Sequence, residues 1–239
     1  MRVSTFATPQ SIIDDSNTIK NRFVIVIDTL RATSVIAVAL AEGAKCVIPV
    51  MEIEEAVKLF HSLGEDGALL CGEREGKPIA GFHLGNSPFE YRAKTVQDRT
   101  LIMTTTNGTR AIHSASGAAV LALGAFINAG AVARDADASG LDVTIVCAGT
   151  RGRFTTEDVL TAGAIIDGLA HKSVLPDDLS ALALDLYRRH AENPLAALRQ
   201  CAHAQYLADA GYGDDVEYCM RRDILRVVPY FEKGMVRLL

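Results

Sequence analysis

Apolar residues in this chain fall into short unbroken runs, each closed by a polar loop and followed by a longer stretch of small residues. The clearest run is RFVIVID at 22–28. An uninterrupted apolar segment that ends in a charge predicts a central strand covered on both faces. Residues 32–42 then read as a small-residue helix stopped by Gly43. The same alternation predicts strands at 46–50, 68–71, 100–104, 118–123 and 143–147, with helices near 53–63, from Asn107, and over 126–136. Such a pattern implies an α/β protein, a three-layer α/β/α sandwich on a mostly parallel, mixed sheet. After Pro176 the chain turns helical, with 179–190 and 195–210 separated by Asn193-Pro194. The final apolar segments, 224–228 and 235–239, predict edge strands. No linker, low-complexity tract or long repeat interrupts residues 1–239, which read as one domain.

Four loops that follow strand-like runs carry groups suited to oxyanions. They are Asp28 to Ser34 (DTLRATS), Glu73-Arg74 through Gly85-Asn86-Ser87-Pro88, Thr104 to Arg110 (TTTNGTR), and Cys147 to Arg153 running into Glu157-Asp158. Segments 23–34 and 143–158 resemble one another as strand, polar loop and helix, so their loops should reach the same sheet edge. Ligands of open α/β sheets bind at such an edge, and the four loops read as the floor of one small-molecule site.

Asp28, at the end of a buried strand, suits a hard cation such as Mg²⁺, and equally suits capping of the next helix. Leu30 stands where an aspartyl-phosphate enzyme needs a second acid, so a covalent aspartyl intermediate is not supported. Thr104 to Thr109 can surround an anion at a helix start, although Asn107-Gly108 also reads as a turn. Pro88 is placed for a first helical position after Asn86-Ser87. Thr155 to Asp158 has capping-box spacing, which puts Glu157 and Asp158 in a first helical turn near Arg151 and Arg153. Cys147 and Arg153 match the C-x₅-R spacing of cysteine phosphatases. Against that reading, Phe154 occupies the usual Ser/Thr place, no His precedes Cys147, and a small Cys at a strand end is often simply buried.

Charge and composition narrow the classes. A net charge of −5, with no basic run interleaved with aromatics, excludes nucleic acid as a partner. Arg outnumbers Lys by 17 to 7, and Arg31, Arg74, Arg110, Arg151 and Arg153 lie in the four loops. That bias fits bidentate contacts to phosphate, sulfonate or carboxylate, with solvated surface arginines as the alternative. Five cysteines without a CxxC pair or secretory signal predict a reduced, cytoplasmic protein. Residues 111–133 lack charge and could span about 30 Å of hydrocarbon. Gly117, Gly124 and Gly130 interrupt them, however, and 120–123 fits a short buried strand, so no membrane span is expected.

The four blocks IDTLRATS, GEREGKPIAGFHLGNSPFEY, TTTNGTRA and CAGTRGRFTTEDVLTAGAI, in this order, resemble the 2-phosphosulfolactate phosphatase family. The likeness runs from about Arg22 to Glu232 and includes the closing GYGDDVEYCMRRD and VVPYF segments. Arg151, His203 and Gln205 depart from the family pattern. The resemblance implies Mg²⁺-dependent hydrolysis of (2R)-2-phospho-3-sulfolactate to 3-sulfolactate and phosphate, with this small polyanionic phosphomonoester as the partner; a homodimer is compatible with it. On this reading Asp28, Glu73, Glu157 and Asp158 hold the metal, and Asp28, Arg31, Glu157 and Asp158 serve catalysis. Arg74, Asn86, Ser87, Asn107, Gly108, Thr109 and Arg153 contact substrate, with Arg31, Asn107, Thr109 and Arg153 on the phosphate. Two alternatives stand beside it: a metal-free cysteine phosphatase using Cys147 and Arg153, and a non-catalytic small-anion-binding protein.

Overall fold

The computed structural model describes residues 1–14, 16–64, 67–169, 171 and 173–239. Its strands are β1 (Val3–Phe6), β2 (Phe23–Ile27), β3 (Cys46–Pro49), β4 (Ala68–Arg74), β5 (Lys77–Pro78), β6 (Thr100–Thr104), β7 (Val120–Gly124), β8 (Val143–Cys147), β9 (Tyr230–Glu232) and β10 (Met235–Arg237). The helices are α1 (Gln10–Asp14), α2 (Ala32–Ala41), α3 (Ile53–Leu63), α4 (Ala93–Val96), α5 (Gly108–Ser114), α6 (Ala129–Ser139), α7 (Thr156–Leu169), α8 (Asp178–His190), α9 (Pro194–Ala197), α10 (Ala202–Leu207) and α11 (Gly213–Cys219).

Alternation along the central strands divides the core into layers. Phe23, Ile25 and Ile27 of β2 join Val143, Ile145 and Cys147 of β8 in a cluster roofed by α6, α7 and α8. Val24 and Val26, with Leu121 and Leu123 of β7, face the opposite cluster built on α2 and α5. Continuous apolar runs are therefore required, because both faces of these strands are covered. All five β2 residues are buried. The charge-free stretch 111–133 resolves into the end of α5, the strand β7 and the start of α6, and no described helix is long and apolar enough to cross a membrane.

The strands lie in the order β1-β8-β2-β7-β9-β10-β3-β6-β4-β5. Within β1-β8-β2-β7 and within β3-β6-β4 the pairing is parallel. Between these groups sits the antiparallel hairpin β9–β10, so the terminal strand is central, not at the edge expected from sequence. Residues 224–228, expected to be extended, form no strand. A five-residue apolar run has nothing in it to say which edge it will pair with; Val236, fully buried opposite Val47, owes its place to the gap it fills.

Passing through the hairpin reverses strand sense, so the two parallel groups run in opposite directions. Their carboxyl ends nonetheless meet at one cavity. Six strand steps separate β2 from β4. At roughly 20–25° of twist per step, about 120–150° accumulates, enough to turn a reversed strand back toward the same side. The helix expected over 195–210 is also broken, into α9, α10 and a π-helical turn (Ala208–Tyr212) in which Gly211 takes φ +90°. That kink leads into α11, whose Asp215 pairs with Arg31.

Candidate active site

The loop after β2 is held open by its own polar groups. Ala32 N–H donates to Asp28 Oδ1 at 3.2 Å, Asp28 N–H donates to Thr33 Oγ1 at 3.0 Å, and Ser34 Oγ donates to Thr29 O at 2.8 Å. Asp28 therefore caps α2 with one carboxylate oxygen while it lines the cavity. The start of α5 comes against it: a Cβ on Gly108 would lie 2.8 Å from Asp28 Oδ2 and 2.5 Å from Ala32 Cβ. Only glycine permits this approach, so Gly108 shapes the site without lining it.

Asp158 ties the neighbouring loops together. Its Oδ1 accepts Thr29 N–H at 2.9 Å and its Oδ2 accepts Gly149 N–H at 3.0 Å. Both oxygens are thus committed to backbone, and Asp158 does not line the cavity. The capping box expected with Thr155 is not formed, because Asp158 serves two other loops and Thr155 Oγ1 has no partner. Glu73 is similarly fixed: Oε1 accepts Thr106 N–H at 2.7 Å, and Oε2 accepts Gly76 N–H at 2.6 Å and Thr106 Oγ1–H at 3.1 Å. It does line the cavity.

Arg31 is 3% exposed. Its Nη1 donates to Asp215 Oδ2 at 2.6 Å, its Nη2 to Gly76 O at 3.0 Å, and its guanidinium carbon lies 4.0 Å from the centre of the Tyr212 ring. Ser87 Oγ donates to the other Asp215 oxygen at 2.7 Å. Ser87 therefore orients Arg31 through Asp215 and does not itself face the cavity. Arg74 is spent on two backbone carbonyls and a hydroxyl, donating to Glu73 O, Met51 O and Thr104 Oγ1. Thr109 is likewise bound to Thr105, at 2.8 Å through its hydroxyl. Asn86, Asn107 and Arg153 line the cavity, and the Asn107 side chain makes no capping bond.

The cavity has a volume of about 840 Å³, the size of a small-molecule site. Asp28 sits in it with a carboxyl raised to about 6, chiefly by burial, with Glu73 and Glu157 pushing the same way and His203 opposing. Burial would also raise Glu157, but the His203 hydrogen bond and charge and the Cys201 thiol outweigh it and hold Glu157 low. His203 Nδ1 lies 2.7 Å from Glu157 Oε1, and Cys201 Sγ lies 2.9 Å from Oε2. Burial disfavours the His203 cation, yet Glu157, Asp28 and Asp158 together raise its pKa.

A family profile described as 2-phosphosulpholactate phosphatase matches residues 7–234. The chain belongs to this family. Among similar curated proteins, a probable 2-phosphosulfolactate phosphatase of Caldanaerobacter subterraneus subsp. tengcongensis is 44% identical over 238 residues, covering 99% of this chain and 98% of the relative. Proteins of the same description from Caldicellulosiruptor saccharolyticus (40% identical, 99% of each chain) and Symbiobacterium thermophilum (39% identical, 95% of this chain and 98% of the relative) align as completely. By family the chain is a phosphoric monoester hydrolase.

In this member of the 2-phosphosulpholactate phosphatase family, sequence reasoning missed His203, Cys201, Asp215 and the hydroxyls of Thr150 and Thr155. For Asp215 a signal existed in the acidic GYGDDVEYC block. None existed for Cys201 or His203, which reach the cavity only because the helix breaks before α10. Cys147 is fully buried in the apolar cluster under α7, and burial, then Asp158 and Glu157, push its thiol well above the ordinary range. A thiolate nucleophile there has neither access nor ionisation. Among the described residues no three His, Cys, Asp or Glu side chains group as a metal cluster. Asp28 and Glu73 still offer carboxylate oxygen on one cavity, and Asn86 Oδ1 is buried there without a partner. This set fits Mg²⁺, which is commonly held by one or two carboxylates with waters and substrate phosphate completing its shell.

Proposed function

We propose that this chain hydrolyses (2R)-2-phospho-3-sulfolactate to 3-sulfolactate and phosphate, with Mg²⁺ as cofactor. The observation that carries this reading is a single cavity walled by Asp28 and Glu73, by Arg31, Arg151 and Arg153, and by buried polar oxygens that lack protein partners. Desolvated anionic groups need such donors in place of water. Asp28, Glu73 and Asn86 Oδ1 would hold Mg²⁺, which supplies Lewis-acid stabilisation of the phosphate oxygens and a more acidic water.

The protein's own groups account for the rest. Arg31, locked by Asp215 and Tyr212, presents a fixed guanidinium and needs no reordering as charge develops on the equatorial oxygens. Asn107, on the same cavity, completes the phosphate contacts. Water attacks phosphorus, one of its protons passing to bulk solvent and the other staying on the released phosphate, and the bond from phosphorus to the ester oxygen opens. His203, whose pKa Glu157 raises, is the proton source for the departing alkoxide. The test is phosphate release from a panel of phosphomonoesters, each with Mg²⁺ and with chelator. Fastest release from phosphosulfolactate, lost on chelation and restored by Mg²⁺, is expected; full activity in the chelated enzyme ends the metal reading.

A further inference from the structure

Two hydroxyls on the β8 side of the cavity have no explanation within the protein. Thr155 immediately precedes the fourteen-residue helix α7, where a threonine ordinarily accepts a helix N–H. Its Oγ1 has no partner, and the residue is only 7% exposed. Thr150 Oγ1 is buried and unpartnered as well. Buried hydroxyls are normally satisfied, so two orphans on one wall mark a ligand that satisfies them.

The segment between them is built to present charge. Thr150 and Arg153 exchange backbone hydrogen bonds of 2.8 and 3.0 Å across a two-residue turn, in which Arg151 and Gly152 take φ +52° and +72°. Arg151, Arg153 and both threonines line the cavity. No carboxylate of this segment does, because Asp158 is bound to Thr29 and Gly149 and Glu157 to His203 and Cys201. The acids of the cavity, Asp28, Glu73 and Glu75, come from the β2 and β4 ends. Charge is therefore segregated: a cation-binding side and an anion-binding side.

We infer that the 150–155 segment is the subsite for the substrate's second anionic group, a sulfonate, with Thr150 and Thr155 donating hydroxyl protons to its oxygens and Arg151 and Arg153 supplying charge. This deepens the phosphatase reading and rests on it. A sulfonate presents three oxygens in a tetrahedral array, which matches donors arriving from separate directions; a planar carboxylate is better met by one bidentate fork. The segment thereby sets specificity, while the phosphate is handled elsewhere in the cavity.

The experiment compares kcat/KM for 2-phospho-3-sulfolactate, 2-phospholactate and glycerol 2-phosphate in the wild type and in Thr150→Val, Thr155→Val, Thr155→Ser and Arg153→Gln. Each Val variant should lower the preference for the sulfonate ester over the other two about tenfold, and raise the inhibition constant of 3-sulfolactate similarly. Thr155→Ser, which keeps the hydroxyl, should restore both. Arg153 is exposed, so Arg153→Gln reports even where a buried Val variant fails to fold. Preferences within about twofold of wild type, or a Ser variant as impaired as Val, overturn the subsite. Equal activity on the sulfonate and carboxylate esters in the wild type does so too. If the wild type releases phosphate from no ester, the phosphatase reading falls by itself. Calorimetry with 3-sulfolactate then decides the subsite: binding weakened in the Val variants upholds it, and no binding overturns it.

Discussion

Asp28 is the residue at which stability and chemistry conflict. Its carboxyl is raised from 3.8 to about 6, first by burial. As pH rises through 3.8 the unfolded chain ionises while the folded chain keeps its proton, so the folded state loses relative stability until about pH 6, where the full penalty is in place. Asp28→Asn removes that penalty and can still accept the Ala32 N–H. In chelator at pH 8 this variant should melt a few degrees higher than wild type, at about 2–4 °C per kcal/mol for a chain of this size. The gain should vanish below about pH 4, and phosphate release should fall at least a hundredfold, by calorimetric melting and phosphate assay respectively. An unchanged melting point at pH 8 would mean that burial of this carboxylate carries no cost. Glu157 and His203 show the opposite arrangement. The stabilisation from low Glu157 is present above 4.5 and lost as pH falls through its folded value, and that from raised His203 is present below 6.5 and lost as pH rises through its own. Together they favour the folded state across the interval between.

Among the elements, α7 carries the most. Its first turn supplies Glu157 to hold His203 and Cys201 and Asp158 to hold the loops, its inner face covers β2 and β8, and its far side packs on α8. That last contact is very close: a Cβ on Gly163 would fall 2.0 Å from Ala183 O and 2.7 Å from Tyr187 Cβ. Gly163→Ala must therefore push α8 away, at a cost of about 3 kcal/mol from overpacking a tight interface. Urea unfolding should show the midpoint drop with little change in slope. The effect should exceed that of Gly213→Ala, where the added methyl meets nothing within 4 Å. Elements of this kind were legible from the chain. The apolar runs at 23–27, 100–104 and 143–147 form strands within one residue of their expected bounds, because burial on both faces leaves no charged position inside them. The first strand, Val3–Phe6, and the broken helix after Pro194 were not. Four residues carry too little periodicity, and the break at Gly211 follows the demand that Tyr212 lie beneath Arg31.

At the scale of the molecule, the hairpin β9–β10 is a keystone between two parallel groups. It contacts β7 through Ala122 and Tyr230 and β3 through Val47 and Val236, and Leu123 N–H donates to Pro229 O at 2.8 Å. Removing residues 229–239 should leave β7 and β3 as two bare edges facing each other across an empty seam. Such edges recruit other chains, so the truncated protein should aggregate or lose its cooperative melt, seen by gel filtration and circular dichroism. A monodisperse, cooperatively melting truncation would show that the two groups associate without it.

The sequence by itself determined the alternation of strands and helices, the four polar loops, and the family to which they belong. Each depends on local patterning or on short motifs, and short-range physics suffices to read them. Only the tertiary structure decided which acids face the cavity and which are consumed in holding loops. Glu73 and Asp158 are both conspicuous carboxylates at strand ends or helix starts and each accepts two backbone amides, yet only Glu73 also lines the site. That difference arises from partners more than thirty residues away in each case, Thr106 for Glu73 and Thr29 for Asp158, brought into reach by the pairing of β4 with β6 and of β2 with β8.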